Sequence, residues 1–181
     1  KKSPIDPSSL LSYSVFHEHS VLVTRNGSLL AAGNNDDGRI SSSLPKTRIK
    51  NFTEFSLEGI GSQFVPVSAV CCLYSTLYMF SKVDSGRRQL VFCDSDIKGG
   101  SPIFLNIGNQ EPVALFGLFY NAAAINSEGE VIFIDRESVK NSPDSHISSF
   151  SLPDGEKASS VACCDDTIVA LSRNGRVFTS K

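Results

Sequence analysis

His19-Ser-Val-Leu-Val-Thr24, Arg25-Asn26-Gly27 and Ser28-Leu-Leu-Ala-Ala-Gly33 read as a short apolar run, a tight turn and a second apolar run. Asn-Gly between two such runs is the strongest short-range hairpin signal, because a tight turn needs residues at φ > 0. The same grammar returns three times. Thr76-Leu-Tyr-Met-Phe-Ser81 turns at Asp84-Ser85-Gly86 into Gln89-Leu-Val-Phe-Cys93. Asn121-Ala-Ala-Ala-Ile-Asn126 turns at Ser127-Glu128-Gly129 into Glu130-Val-Ile-Phe-Ile-Asp135. Thr167-Ile-Val-Ala-Leu-Ser172 turns at Arg173-Asn174-Gly175 into Arg176-Val-Phe-Thr179.

Ahead of the hairpin stands another β-rich piece, plainest in Ser68-Ala-Val-Cys-Cys72 and Ser160-Val-Ala-Cys-Cys164, so the unit holds at least three strands. The hairpins begin at residues 19, 76, 121 and 167, a period near 45 in the last three. Three or four antiparallel strands at that period are the signature of a propeller blade. No amphipathic helix of three turns is visible. The fold class predicted is therefore all-β, a β-propeller array of about three and a half to four repeats spanning approximately 9–58, 59–108, 109–154 and 155–181.

The first repeat resembles the regulator of chromosome condensation family. Its pattern of Val-x-x-Gly-x-x-His, strand, Asp/Asn-Gly, strand and Gly-x-Asn-x-x-Gly-Gln-Leu is matched by His19 to Thr24, Asn26-Gly27 and Gly33-Asn34-Asn35-Asp36-Asp37-Gly38-Arg39-Ile40. Only this repeat keeps the second motif; Cys93-Asp94-Ser95-Asp96 and Ile134-Asp135-Arg136-Glu137 occupy its place later. The family Gly-x-x-His position is filled by Cys72 with Thr76, Gly117 with Asn121 and Cys164 with Thr167. The resemblance implies a divergent member and a seven-bladed ring, of which this chain supplies about half. The last hairpin then lacks an outer strand unless Ser9 to Val15 supplies it, as in the family's own closure, or another chain does.

Composition fits a globular domain. Length, 40% hydrophobic and 20% charged residues and 12 Phe allow one packed domain or slightly more. Lys+Arg 17 against Asp+Glu 19 gives a net charge of -2, so no overall positive field would draw in a nucleic acid. Gly59 to Ser81 carries no charge, but Pro66, Gln63 and its β-branched and aromatic residues read as two buried strands broken near Cys72-Leu73-Tyr74, not as a membrane span. Residues 1–7 show no apolar signal-peptide core. Cys71, Cys72, Cys93, Cys163 and Cys164 are an odd number with two adjacent pairs, which reads as buried reduced thiols in a cytoplasmic or nuclear protein. Sequons at Asn26 and Asn51 keep an extracellular alternative open.

No motif carries catalysis. Gly33 to Gly38 has phosphate-loop spacing, but Arg39-Ile40 replaces Lys-Ser/Thr and two aspartates sit inside, so it reads as an inter-strand loop. Gly59-Ile60-Gly61 meets Phe64 where a dinucleotide fingerprint needs glycine. His17 and His19 would share a strand face, but His146 is too distant to complete a zinc site. Asp94-Ser95-Asp96 starts like a calcium loop, and Lys98 spoils it. Asp165-Asp166 reads as an exposed turn. No cofactor, metal or catalytic residue is expected.

Two exposed basic spots are the candidate partner-binding residues: Lys46, Arg48 and Lys50 along one extended face, and Arg87-Arg88 in a hairpin turn. Phe116, Phe119 and Tyr120 read as core. The function expected is a non-enzymatic protein–protein interaction module that binds another protein through propeller loops. The resemblance implies the alternative of guanine nucleotide exchange on a small Ran-type GTPase. A receptor ectodomain is the extracellular alternative. Further blades or a second chain are expected to complete the ring.

Overall fold

Every hairpin glycine read above sits in left-handed backbone: φ is 84° at Gly27, 70° at Gly86, 81° at Gly129 and 82° at Gly175. In the computed structural model, which describes residues 5–97, 100–117, 119–142, 145, 147, 149–164 and 167–179 without the side chains of Cys163 and Cys164, they close hairpins in four antiparallel sheets. The first holds β1 (Leu10–Phe16), β2 (His19–Thr24), β3 (Leu29–Asn34) and β4 (Arg48–Phe55). The second holds β5 (Phe64–Cys71), β6 (Ser75–Lys82), β7 (Arg88–Asp94) and β8 (Ile103–Phe104). The third is β9 (Pro112–Gly117), β10 (Ala122–Asn126), β11 (Val131–Ile134) and β12 (Ser149–Phe150). The fourth is β13 (Ala158–Cys164), β14 (Thr167–Ser172) and β15 (Val177–Thr179). One helix of six residues, α1 (Arg136–Asn141), capped by the Asp135 carboxylate, interrupts the third sheet's last connection.

Strand order follows chain order within each sheet, and the sheets stack through their first strands. β1 packs on β5, β5 on β9, and β9 on β13. Each first strand also carries a register shift near its start, at Leu10/Ser12, Pro66/Ser68, Pro112/Ala114 and Ala158/Ser160. Pro66 is tolerated because it falls at one of these irregularities. These are the innermost strands of four consecutive propeller blades.

Alternation of side chains builds the core. Val21, Val23, Leu29 and Ala31 from blade 1 meet Ala69, Tyr78, Phe80 and Val91 from blade 2. The opposite residues of blade 2, Leu77, Met79, Leu90 and Phe92, meet Ala122, Ala124, Ile132 and Ile134 of blade 3. Ala123, Ile125 and Val131 then meet Val161 and Ala170 of blade 4. A blade with neighbours on both sides needs apolar residues on both faces, so β6 is buried at every position from Ser75 to Phe80. That double burial is why Gly59 to Ser81 imitates a membrane span. No described helix is long and apolar enough to cross a membrane.

Of the two sources considered for the outer strand of blade 4, Ser9 to Val15 does not supply it. Those residues pair with β2 inside blade 1, from Leu10↔Thr24 to Phe16↔His19. They are held there because Ser12 and Ser14 face blade 2: Ser14 Oγ accepts from the Cys71 amide at 2.9 Å, and Ser12 Oγ lies 3.2 Å from Ser68 Oγ. β15 therefore remains the outermost described strand of blade 4. The outer faces of the two end blades are open, exposing Leu11, Tyr13 and Val15 at one end and Leu171 and Val177 at the other.

Candidate functional site

The turns joining the first two strands of each blade lie on one face of the array, nearest its inner edge. Three are described: Phe16 to His19, Cys72 to Ser75, and Phe119 to Asn121. They bring four aromatic rings together. Phe16 stands edge-on to Phe119 at 6.0 Å, Phe119 edge-on to Tyr120 at 4.6 Å, and Tyr120 stacks on Tyr74 at 6.0 Å. Tyr74, Phe119 and Tyr120 are each about two-fifths exposed, at 38%, 41% and 43%. Phe116 is the core residue of the expected trio, packing between blades 3 and 4, whereas Phe119 and Tyr120 are surface. The reason is the end of β9 at Gly117, beyond which the chain has left the sheet.

Two buried arginines support this cluster from neighbouring blades. Arg39, from the loop between β3 and β4, lies 5.6 Å from the Tyr74 ring and donates to the Leu73 carbonyl at 3.0 Å. Asp37 holds its other edge at 2.6 and 3.0 Å, and Glu18 accepts at 2.9 Å. The hydrogen bonds that Arg39 donates to Asp37 outweigh burial and raise the Arg39 pKa. Arg136, opening α1, lies 5.3 Å from the same ring and clamps the fully buried Asp94 with two hydrogen bonds at 2.5 and 3.0 Å. It also reaches Asp96 at 2.7 Å. Burial works against the Arg136 charge, but its bonds to Asp94 and Asp96 prevail and raise its pKa. Sequence reading missed both, since partners separated by 34 and 42 residues leave no local spacing.

The family-like loop explains itself locally. Asn35, fully buried, donates to the carbonyls of Ser41, Leu44 and Pro45 and accepts from the amides of Ile40 and Ser41. Gly33 is required where the chain returns past the first turn, since a Cβ there would lie 2.2 Å from the Glu18 carbonyl oxygen. The ordered loop delivers the Ile40 carbonyl to the Tyr78 hydroxyl at 2.8 Å and the Arg39 carbonyl to Thr76 Oγ1 at 2.9 Å. The loop amides of Asp36, Gly38, Arg39, Ile40 and Ser41 all donate to acceptors within the loop itself.

His17 and His19 do not share a face. β1 ends at Phe16, so His17 occupies the turn with φ 44° and is exposed, while His19 opens β2 and is buried. His19 Nε2 meets Thr76 Oγ1 at 3.0 Å across the first seam, which joins the family His position to its counterpart one repeat later. Asp94 of the calcium-like stretch is spent on Arg136. Among the described residues no group of His, Cys, Asp and Glu is placed to hold a metal ion. Lys98, His146, Asp165-Asp166 and the Cys163 and Cys164 side chains lie outside the described residues.

The basic spots fall apart in space. Lys46, Arg48 and Lys50 are exposed at and before the start of β4, near the turn face but on the outer edge of blade 1. Arg87 and Arg88 lie at the opposite end of blade 2, Arg87 in the turn from β6 to β7 and Arg88 opening β7. Arg87 donates to the Gly108 carbonyl at 3.2 Å and Arg88 pairs with Glu111 at 3.8 Å. Of the cysteines, Cys71 and Cys93 are buried free thiols, and burial pushes the Cys71 pKa up to about 12. Cys72 is buried with its Sγ donating to the Asn121 carbonyl.

No protein-family model and no curated protein sequence matches the chain. Solved structures do. Human WBSCR16 superposes with a TM-score of 0.66 at 14% identity, covering 99% of this chain and 49% of its own. Prp20p from Saccharomyces cerevisiae, reported with its binding to Gsp1p and histones, gives 0.68 at 12% identity, covering 92% and 43%. The computationally designed Ika4 protein gives 0.52 at 11% identity, covering 97% and 92%. The chain thus spans less than half the length of the first two. With Prp20 being the yeast RCC1, the four sheets have the fold of an RCC1-like β-propeller, in four consecutive blades.

Proposed function

We propose that the chain is a non-enzymatic propeller module that binds another protein through the face carrying the inner turns. The exposed aromatic cluster of Tyr74, Phe119 and Tyr120 supports this reading best. Large aromatic residues left in water on a rigid, hydrogen-bonded platform are the composition of an interface centre. A photo-crosslinking amino acid at position 120 tests it, with position 83, exposed on the opposite face, as control. A protein adduct specific to position 120 is expected in native cells. Identical adducts from both positions, or none, would sink the reading.

Nucleotide exchange on a small Ran-type GTPase is the second reading, favoured by the likeness to Prp20p, which binds Gsp1p. Release of a fluorescent GDP from such a GTPase, accelerated by the chain, would select it. Cytoplasm or nucleus is the compartment that goes with either reading, and the buried free thiols of Cys71 and Cys93 accord with it. The open faces of the end blades call for further blades or a second chain as structural partners.

A further inference from the structure

From the charges around the aromatic cluster we infer that the inner-turn face takes an arginine-bearing, cationic segment of its partner protein; this rests on the protein-binding reading above. Both arginines next to Tyr74 are over-neutralised. Asp37 and Glu18 hold Arg39, and Asp94, Asp96 and Glu137 surround Arg136, with Lys140 3.7 Å from Asp96. Among the described residues, five carboxylates therefore face three cations. The guanidinium edges are consumed internally, so an anionic partner finds no donor fork here.

The acids, in contrast, remain reachable. The side chains of Glu18, Asp96 and Glu137 are 43%, 54% and 63% exposed, around rings that are themselves about two-fifths exposed. Each already sits beside an arginine of this chain, and the Tyr74 ring already accepts two guanidinium groups at 5.3 and 5.6 Å. The surface thus displays, in its own construction, the chemistry it offers outward: aromatic faces for a planar cation and carboxylates for its N–H groups. Arginine suits both better than lysine, because its guanidinium is planar and weakly hydrated. The basic stripe of Lys46, Arg48 and Lys50 lies on the outer edge of blade 1 and belongs to a different surface.

Titration of the full chain with a synthetic peptide of alternating Arg and Gly, followed by backbone amide shifts, tests this. Lys/Gly and Glu/Gly peptides of equal length are the comparisons. Shifts centred on residues 73–74 and 119–121 are expected for Arg/Gly, weaker for Lys/Gly, absent for Glu/Gly, and reduced by salt. Tyr120→Ser with Glu137→Gln, both exposed, should weaken binding about tenfold, from the loss of one cation–π contact and one ion pair. Lys140→Gln removes a competing cation and should tighten it. Equal binding of Glu/Gly, shifts centred elsewhere, or indifference to all three substitutions overturns the inference. A crosslink from position 120 together with no Arg/Gly binding overturns it too, while leaving the protein-binding reading standing.

Discussion

Thr76 Oγ1 has one proton and gives it to the Arg39 carbonyl, so His19 Nε2 must be the donor in their 3.0 Å contact. His19 Nε2 therefore carries a proton, and the lowered basicity of the ring leaves Nδ1 bare at neutral pH. Burial, assisted by the nearby Arg39 charge, lowers its pKa from 6.5 to about 4. Depression favours the neutral form in the fold, so the stabilisation is complete above pH 6.5 and drains away as pH falls toward 4. Integrated over that window it reaches about 3 kcal/mol. Urea unfolding between pH 7 and 4 should show this slope, and His19→Gln should flatten it; a slope unchanged by His19→Gln would refute the assignment. At this scale the sequence was partly legible. His19 stood out through the repeat pattern, but its pairing with Thr76 depends on two blades meeting. Phe119 and Tyr120 were misread as core because apolar character does not reveal that β9 has already ended at Gly117.

Elements were the most legible level, since hairpins are written locally: alternating apolar residues fix the two strands and a glycine at positive φ fixes the turn. The seams between blades were illegible. Arg136 and Asp94 look like solvated charges in sequence, and only the approach of α1 to the end of β7 buries them together. Removing one partner of a buried pair leaves the other charged and desolvated, at a cost of about 3–5 kcal/mol, whereas removing both is close to neutral. Arg136→Met alone should therefore lower thermal stability severely, and Arg136→Met with Asp94→Leu should recover most of the loss. Equal losses in the single and double variants would show that the pair is not the staple of the second seam. The first seam is joined by Arg39 to Leu73, His19 to Thr76 and Tyr78 to Ile40. The third has, among the described residues, the Ala158 amide on the Gly129 carbonyl and a smaller apolar layer. Hydrogen exchange should accordingly be fastest in β13 to β15, and uniform exchange across the four blades would contradict this ranking.

For the whole molecule the accessible surface is 9272 Å², against about 8,500 Å² for a compact monomer of 19.5 kDa. The open faces of the end blades carry large apolar side chains in water, with Tyr13 and Val15 72% and 70% exposed and Val177 64% exposed. Alone in solution the chain should associate with rising concentration, and Tyr13→Lys with Val177→Lys should suppress this without lowering the melting temperature. Light scattering that shows a monomer at every concentration would remove the need for structural partners. One residue also makes the opening of the array visible. Tyr78 is fully buried in the first seam, its hydroxyl donates to Ile40, and burial raises its pKa well above 10. The chain has 4 Tyr and no Trp. The ultraviolet band of the Tyr78 phenolate can therefore develop in alkali only when blades 1 and 2 part, so the protein carries its own optical clock for the separation of those blades.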